Sequence, residues 1–175
     1  MKIAHNIGTI VDPNYNTREQ IINCHDEIGF DGIYENVYQN MDVLEGKKGI
    51  FFVMGNFLGG DNTFDLKNVP QYERYCTLAQ IQEMCEKFDF EIGWHTWNHP
   101  DLTRFFNKRQ IMEEVLPPDW LPNCKYFAYP YGKFNDLVVE CVKEAGYEKA
   151  WSVTQGCISP LAKDYNFKIF RNHIY

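Results

Sequence analysis

Two histidines lie four residues apart in the stretch EIGWHTWNHPDLT, residues 91–103. His95 and His99 are each preceded closely by a tryptophan, and Pro100 follows the second histidine. Two imidazoles at this spacing can converge on one point across a helical turn, and imidazole nitrogens are good ligands for zinc and related divalent metals. Pro100 prevents the chain from continuing as a regular helix. The spacing thus suits a metal site, although taken alone it is more typical of two ordinary surface histidines.

Acidic side chains suited to the same site follow an apolar run near the N-terminus. A metal-dependent hydrolase needs one carboxylate that completes the ligand set and another that takes a proton from the attacking water. The segment QIINCHDEIGFDG, residues 20–32, supplies Asp26 and Glu27 as an adjacent pair and Asp31 a few residues later. Only the adjacent pair fills both roles at once, so Asp31 is the rival for either role. The alternative is a solvated acidic turn.

The elements that must position these side chains alternate along the chain. Near-continuous apolar runs, typical of strands buried on both faces of a parallel sheet, occur at 2–10, 20–25, 49–57, 90–95, 125–130, 149–154 and 167–170. Patterns with apolar residues at three- and four-residue spacing predict helices at 34–44, 77–88, 107–115 and 136–145. The alternation predicts an α/β fold with His95 at the C-terminal end of its strand, where parallel sheets place active sites.

Composition and charge narrow the class of protein. The chain has 175 residues, a length that fits one domain spanning 1–175, and a formal net charge of −7. It has no lysine or arginine run that would follow a phosphate backbone, so nucleic acid is not expected as a partner. Its six cysteines form no CxxC pair, which excludes a zinc ribbon. The N-terminus lacks the pattern of a signal peptide and no window is apolar enough for a membrane span, so a cytoplasmic protein is expected.

A second candidate motif, FAYPYGKFND, spans residues 127–136. Pro130 fixes a turn and Gly132 permits a close approach of the backbone. Such a turn can bring a backbone N–H close to a bound ligand. The alternative is a plain strand-to-helix turn.

Together, HTWNHPDL and the PYG motif resemble two signatures of the polysaccharide deacetylase (NodB-homology) family. Residues 33–59 and 146–156 also look like family elements, so the resemblance covers most of the chain. It implies a distorted, trimmed (β/α) barrel in which His95 and His99 bind a catalytic divalent metal, most simply Zn²⁺, with Co²⁺ or Ni²⁺ as alternatives. The backbone N–H of Tyr131 would then hold the oxyanion.

This chain departs from the resemblance at the family's first signature, usually TFDDG, whose aspartates are the general base and the third metal ligand. We predict that Asp26 is the base and Glu27 the ligand, which assumes the turn that the family makes at this point. The family's late leucine-histidine motif, which supplies the general acid, is not evident. His173, near the C-terminus, is the nearest substitute, although a terminal histidine without a role is the simpler interpretation.

The predicted activity is removal of an N-acetyl or other N-acyl group from an amino sugar or sugar conjugate. Residues predicted to line the substrate groove are His25, Asp31, Trp97, Tyr129 and Pro130. A cytoplasmic location would favour a nucleotide-linked, lipid-linked or free sugar over a cell-wall polymer. The alternatives are a non-catalytic carbohydrate-binding relative, and a metal hydrolase of another class such as a phosphoesterase. The sequence does not predict the oligomeric state.

Overall fold

A single parallel sheet organises the part of the chain that the computed structural model describes, residues 27–63, 73–153, 159 and 161–171. Its strands are β1 (Glu27–Asp31), β2 (Lys48–Val53), β3 (Asp89–Trp94), β4 (Tyr126–Ala128) and β5 (Lys149–Trp151). The strands are ordered in the sheet as they are in the chain, and each pairs in parallel with the next. The sheet curls into a half-barrel, which confirms the predicted trimmed (β/α) barrel.

The helices of the described ranges are α1 (Glu35–Gln39), α2 (Leu78–Lys87), α3 (Lys108–Val115) and α4 (Asp136–Glu144). Thr77 and Gln80 form a capping box at the start of α2 that satisfies two backbone N–H groups. Gly146 follows α4 with φ +92°, a conformation that glycine adopts without strain. No helix in these ranges is long and apolar enough to cross a membrane.

Aromatic rings form much of the core between the sheet and the helices. The rings of Phe51 and Phe90, on adjacent strands, stack with centroids 4.6 Å apart, and Phe30 packs 5.4 Å from Phe51. A smaller apolar cluster around Phe52 and Trp151 fills the other face of the sheet. Because apolar side chains cover both faces, the strands are the near-continuous hydrophobic runs that the sequence displays.

The predicted and observed elements differ most at the two ends of the chain. The predicted strands 2–10 and 20–25 lie outside the described residues, and β1 occupies Glu27–Asp31, where a turn was expected. Residues 167–170 form a single parallel bridge between Ile169 and Trp151 instead of a full strand. The helix predicted at 34–44 divides into α1 and a 3₁₀ turn at Met41–Leu44.

Candidate active site

His95 directly follows β3 at the C-terminal edge of the sheet, and its orientation is fixed on two sides. Its backbone N–H donates to the carbonyl of Val53 at 2.9 Å, which continues the pairing with β2. Its ring is buried, and its Nδ1 lies 2.8 Å from the carbonyl oxygen of Ala128. Since a carbonyl can only accept, Nδ1 carries the proton and Nε2 keeps the lone pair that could bind a metal.

The histidines meet through an irregular loop, residues 95–99, which we call the histidine loop. The expected helical turn is absent, and Thr96 and His99 instead adopt left-handed conformations with φ of 70° and 53°. The backbone N–H of His99 donates to the hydroxyl of Thr96 at 3.0 Å. The two imidazole rings lie 4.8 Å apart between centroids at an angle of 62°. The two rings thus lie side by side, on a backbone path that differs from the expected helical turn.

Both imidazoles are held in the neutral form. Burial lowers the pKa of His95. Burial, reinforced by the neighbouring His95, lowers the pKa of His99 to about 3. A neutral imidazole is the form that binds a metal ion, so the pair is electrostatically prepared for a cation.

Asp31, the last residue of β1, is the described carboxylate that belongs to this site. Burial alone would raise its pKa, but the charge and hydrogen bonds of Arg171, together with both histidines, lower it overall. Arg171 is fully buried, and its two terminal nitrogens donate hydrogen bonds to the two Asp31 carboxylate oxygens, each at 2.5 Å. The Arg171 Nε also donates to the carbonyl of Ser152 at 2.9 Å. Asp31 is therefore ionised at neutral pH and rigidly oriented.

Glu27 stands at the opposite end of β1 from the site. It is the first residue of the strand, four residues before Asp31, so about 13 Å separate the two positions along an extended chain. The expectation that Glu27 directly follows a strand is therefore wrong, because pairing with β2 extends the strand through the stretch taken for a turn. Asp26, His25 and His173 lie outside the described residues.

The residue after Asp31 is Gly32, which has no side chain that could bind a metal. Gly32 has φ +71°, and a Cβ atom there would lie 2.8 Å from Met54 Cε and 2.9 Å from Tyr75 Cε1. The Met54 end could move aside, but the Tyr75 ring is stacked on Tyr34 with centroids 4.7 Å apart. In the described ranges, no cluster of three or more His, Cys, Asp or Glu side chains is arranged to hold an ion. Among the described residues, the side chains that could bind a metal ion here are therefore two, His95 and His99.

The PYG motif forms a 3₁₀ turn, Pro130–Gly132, beside the histidines. Tyr131 adopts a left-handed conformation with φ 56°, and its partly exposed ring lies 4.6 Å from the His99 ring. Lys133 reaches back from the end of this turn to Asp101 at 2.7 Å and so joins it to the segment after the histidine loop. The turn therefore forms one wall of the candidate site.

Two residues predicted to contact substrate are instead parts of the scaffold. Tyr129 is fully buried and its hydroxyl donates to the carbonyl of Phe167 at 2.9 Å, so its ring packs in the core. Pro130 is also buried. Trp97 is half-buried at the rim, with its ring edge-on to the core residue Trp94 at 5.0 Å. Of the predicted aromatics, Trp97 and Tyr131 remain available to a ligand.

Sequence reasoning missed two residues that organise the site. Arg171 appears in the sequence as a lone arginine after a short apolar run, and nothing local connects it to Asp31. Glu114 looks like a solvated helix residue, although its carboxylate accepts hydrogen bonds from the histidine loop. A buried carboxylate generally needs a partner, so the sequence could predict that Asp31 is paired if it is buried. It could not predict that the partner is Arg171.

The sequence matches the family model of polysaccharide deacetylases over residues 25–150. A poly-β-1,6-N-acetyl-D-glucosamine N-deacetylase of Staphylococcus aureus is 25% identical over 155 residues, covering 79% of this chain and 51% of that protein. The peptidoglycan-N-acetylmuramic acid deacetylase PdaA of Bacillus subtilis is 31% identical over 149 residues, covering 79% and 49%. The chain thus spans about half the length of these curated relatives.

Solved structures share the fold. The deacetylase PplD of Streptococcus pyogenes, in complex with acetate, superposes with a TM-score of 0.66 at 20% identity, over 94% of this chain and 73% of that one. The deacetylase domain of BpsB from Bordetella bronchiseptica gives a TM-score of 0.67 at 16% identity, over 84% and 70%. At these identities the likeness concerns the fold.

Proposed function

This chain belongs to the polysaccharide deacetylase family, and on that premise we propose that it hydrolyses the N-acetyl group of an amino sugar residue in a glycan. The observation that carries the proposal is the meeting of Asp31, His95 and His99 at one edge of the sheet, with the Tyr131 turn as a wall. The named activities of the relatives, on poly-N-acetylglucosamine and peptidoglycan, support an N-acetylated polymer as the substrate class.

Asp31 acts as the general base in the proposed reaction. A water oxygen attacks the acetamide carbonyl carbon while its proton passes to the Asp31 carboxylate. Cleavage of the C–N bond then gives acetate and the free amine, which takes up the proton. Arg171 keeps Asp31 ionised and fixed in direction, so the carboxylate is ready to accept a proton at neutral pH.

The Tyr131 backbone N–H stabilises the oxyanion that forms in this step. The neighbouring N–H groups of Gly132 and Lys133 are donated within the turn, to Tyr129 and Pro130 carbonyls. We assign the remaining N–H of the turn, that of Tyr131, to the oxyanion. A single donor of this kind is worth about 10²–10³ in turnover. His173 stays our prediction for the group that protonates the leaving amine.

His95 and His99 are the residues that would hold a divalent ion, with Zn²⁺ the first choice and Co²⁺ or Ni²⁺ as alternatives. When bound, such an ion polarises a carbonyl and lowers the pKa of a water toward about 7. The tautomer of His95 and the lowered pKa values of both rings support this assignment. Third ligands are not supplied by the described residues, so water or substrate would complete the coordination.

A non-catalytic carbohydrate-binding relative is the second candidate function. Two observations favour it: the residue after Asp31 is a glycine, which offers no metal-binding side chain, and both oxygens of Asp31 are already bound by Arg171. Such a protein would keep the rim aromatics Trp97 and Tyr131 and bind glycans without turning them over.

The deciding experiment measures acetate release from β-1,6-linked N-acetylglucosamine oligomers and from peptidoglycan fragments, with Zn²⁺, Co²⁺ or Ni²⁺ added. We expect turnover that Asp31→Asn abolishes and that Asp119→Asn, at an exposed loop position, leaves unchanged. Glycan binding without acetate release under every metal condition would establish the binding protein instead. Faster turnover of phosphoesters would overturn the deacetylase proposal. Free N-acetylglucosamine and nucleotide-linked sugars, tested alongside, separate polymer from small-molecule substrates.

A further inference from the structure

Glu114, in the last turn of α3, receives a cluster of hydrogen bonds from the segment that carries the histidines. Its Oε2 accepts from the backbone N–H groups of Trp97 and Asn98, each at 3.0 Å. Its Oε1 accepts from the side-chain amide of Asn98 at 2.7 Å. Its backbone carbonyl accepts from the Trp94 indole N–H at 3.0 Å. One residue thus binds the chain on both sides of His95.

The histidine loop needs such anchoring because its conformation is not one that its residues prefer. Thr96 and His99 both have positive φ, which a non-glycine residue keeps only where surrounding contacts impose it. Two successive N–H groups, those of Trp97 and Asn98, point to one side between these strained positions. A single carboxylate oxygen gathers both, as an anion does in a backbone nest.

The opposite side of the loop is tied to the segment after β2. The N–H groups of Gly55 and Asn56 donate to the carbonyls of Thr96 and Trp97, at 3.0 and 3.1 Å. The Asn56 side-chain amide donates to Asn98 Oδ1 at 2.7 Å. Asn98 therefore bridges Glu114 and Asn56, and the loop is clamped between a helix and a strand end. The carboxylate of Glu114 is the charged member of this clamp.

We propose that Glu114 is a positioning residue that sets the His99 imidazole against His95 and Tyr131 by fixing the backbone between the two histidines. The inference rests on the proposed function for its role in turnover, but the placement of the rings can be tested without any activity. Glu114 touches neither imidazole in the contacts described, so its effect passes through the loop. A loop displacement of a fraction of an ångström would separate two rings that now lie 4.8 Å apart.

The test compares Glu114→Ala and Glu114→Gln with Glu113→Ala in the full chain. Glu113 is the matched control, because it lies one residue away on the same helix, carries the same charge and makes an exposed ion pair with Arg109. Glu114→Gln keeps an oxygen that can accept from both backbone N–H groups and so should preserve most of the loop. Thermal unfolding of each variant identifies any that fail to fold.

The primary measurement is the set of imidazole ¹⁵N–¹H signals of His95 and His99 at fixed pH. We expect Glu114→Ala to shift the His99 signals, as its ring leaves the Tyr131 ring, while Glu113→Ala leaves them unchanged and Glu114→Gln changes them less. Superimposable spectra for Glu114→Ala and wild type would overturn the inference, as would Glu114→Gln being as perturbed as Glu114→Ala. A wild-type protein without deacetylase activity would refute the proposed function and leave this result standing.

Two further measurements test whether the position of the His99 ring affects metal binding and turnover. Removal of groups that orient metal ligands typically costs 10–100-fold in metal affinity. We therefore expect Glu114→Ala to weaken Zn²⁺ binding, measured against a chromophoric chelator, by at least about tenfold relative to Glu113→Ala. In the deacetylase assay kcat should fall more than KM rises, since glycan contacts at the rim remain. Equal Zn²⁺ affinity in the two alanine variants would contradict the inference.

Discussion

The histidine loop and Asp31 lie at the same edge of the sheet but are held by different parts of the chain. The loop is tied to residues within a few tens of positions along the sequence, chiefly Glu114 and Ala128. Asp31 is tied to Arg171, 140 residues away. The position of the histidines therefore depends on contacts between nearby parts of the chain, whereas the acidic part of the site depends on a contact between residues 140 positions apart.

A second difference lies in what each region offers a ligand. The imidazoles are neutral and one keeps a nitrogen lone pair for a cation, while the Asp31 carboxylate has both oxygens engaged. The two histidines are thus suited to bind a cation, whereas Arg171 holds the negatively charged Asp31 carboxylate in a fixed orientation. This contrast argues for Asp31 as base and against Asp31 as third ligand.

The strongest test of the acidic assignment replaces the competing carboxylates one at a time. Asp31→Asn should lower acetate release by about 10²–10⁴-fold, since general base catalysis contributes that much. Glu27→Gln should retain near-wild-type turnover, because Glu27 stands at the far end of β1. Asp26→Asn, which removes the carboxylate that the sequence predicts as the base, should also be tolerated. Loss of turnover in Asp26→Asn but not in Asp31→Asn would reverse the assignment.

Removal of the arginine tests whether the Asp31 region depends on its distant partner. Arg171→Ala leaves Asp31 buried without its partner, and breaking a buried pair costs about 3–5 kcal/mol in the free energy of unfolding. The matched change Arg109→Ala removes an exposed pair with Glu113 and should cost less than about 1 kcal/mol. Urea denaturation measures both. Equal losses would show that the Asp31–Arg171 pair does not secure the fold.

Gly32 tests why this chain lacks a second aspartate. Gly32→Ala should be less stable than Gly46→Ala by about 1–3 kcal/mol, because both positions have positive φ but only Gly32 is crowded by Met54 and Tyr75. The difference in stability between the two variants measures the cost of crowding, because the backbone strain is common to both. For the same reason Gly32→Asp should not strengthen Zn²⁺ binding. A gain in Zn²⁺ affinity in that variant would show that the Tyr75 ring yields and that the site accepts a third ligand.

The pH dependence of stability tests the neutral state of the imidazoles in metal-free protein. The pKa of His99 is about 3 in the folded chain, while its ordinary value is 6.5. Between these two pH values the unfolded chain therefore binds a proton at His99 that the folded chain does not bind. Stability should be complete above about pH 6.5 and fall as the pH drops toward 3, by up to about 1.4 kcal/mol per pH unit for each such histidine. His99→Gln should flatten this slope. An unchanged stability between pH 8 and 5 would contradict the lowered pKa values.

The sequence predicts the regular elements well where hydrophobic periodicity and capping agree. Helix α2 and strand β3 each lie within one residue of their predicted bounds, 77–88 and 90–95. The start of β1 was missed because the acidic residues and Gly29 mark a turn by local rules. Pairing with β2 over five registered residues overrides that preference.

Within the site, His95, His99 and Tyr131 lie next to one another, as residues from two short motifs at the same edge of the sheet. Glu27 was assigned by adjacency to Asp26, and adjacency carries no information about which end of a strand a residue occupies. Tyr129 was expected in the groove, but alternation along β4 turns its ring into the core. Arg171 and Glu114 could not be foreseen, because their roles depend on contacts between separate elements.

Crystals of the protein soaked in Zn²⁺, with anomalous scattering recorded at the zinc edge, test the central claim most directly. The account predicts one ion bonded to a nitrogen of both His95 and His99, with Asp31 beside it and still paired with Arg171. An ion bound through Asp26 or Glu27, or two imidazoles that turn away from a common point, would contradict it.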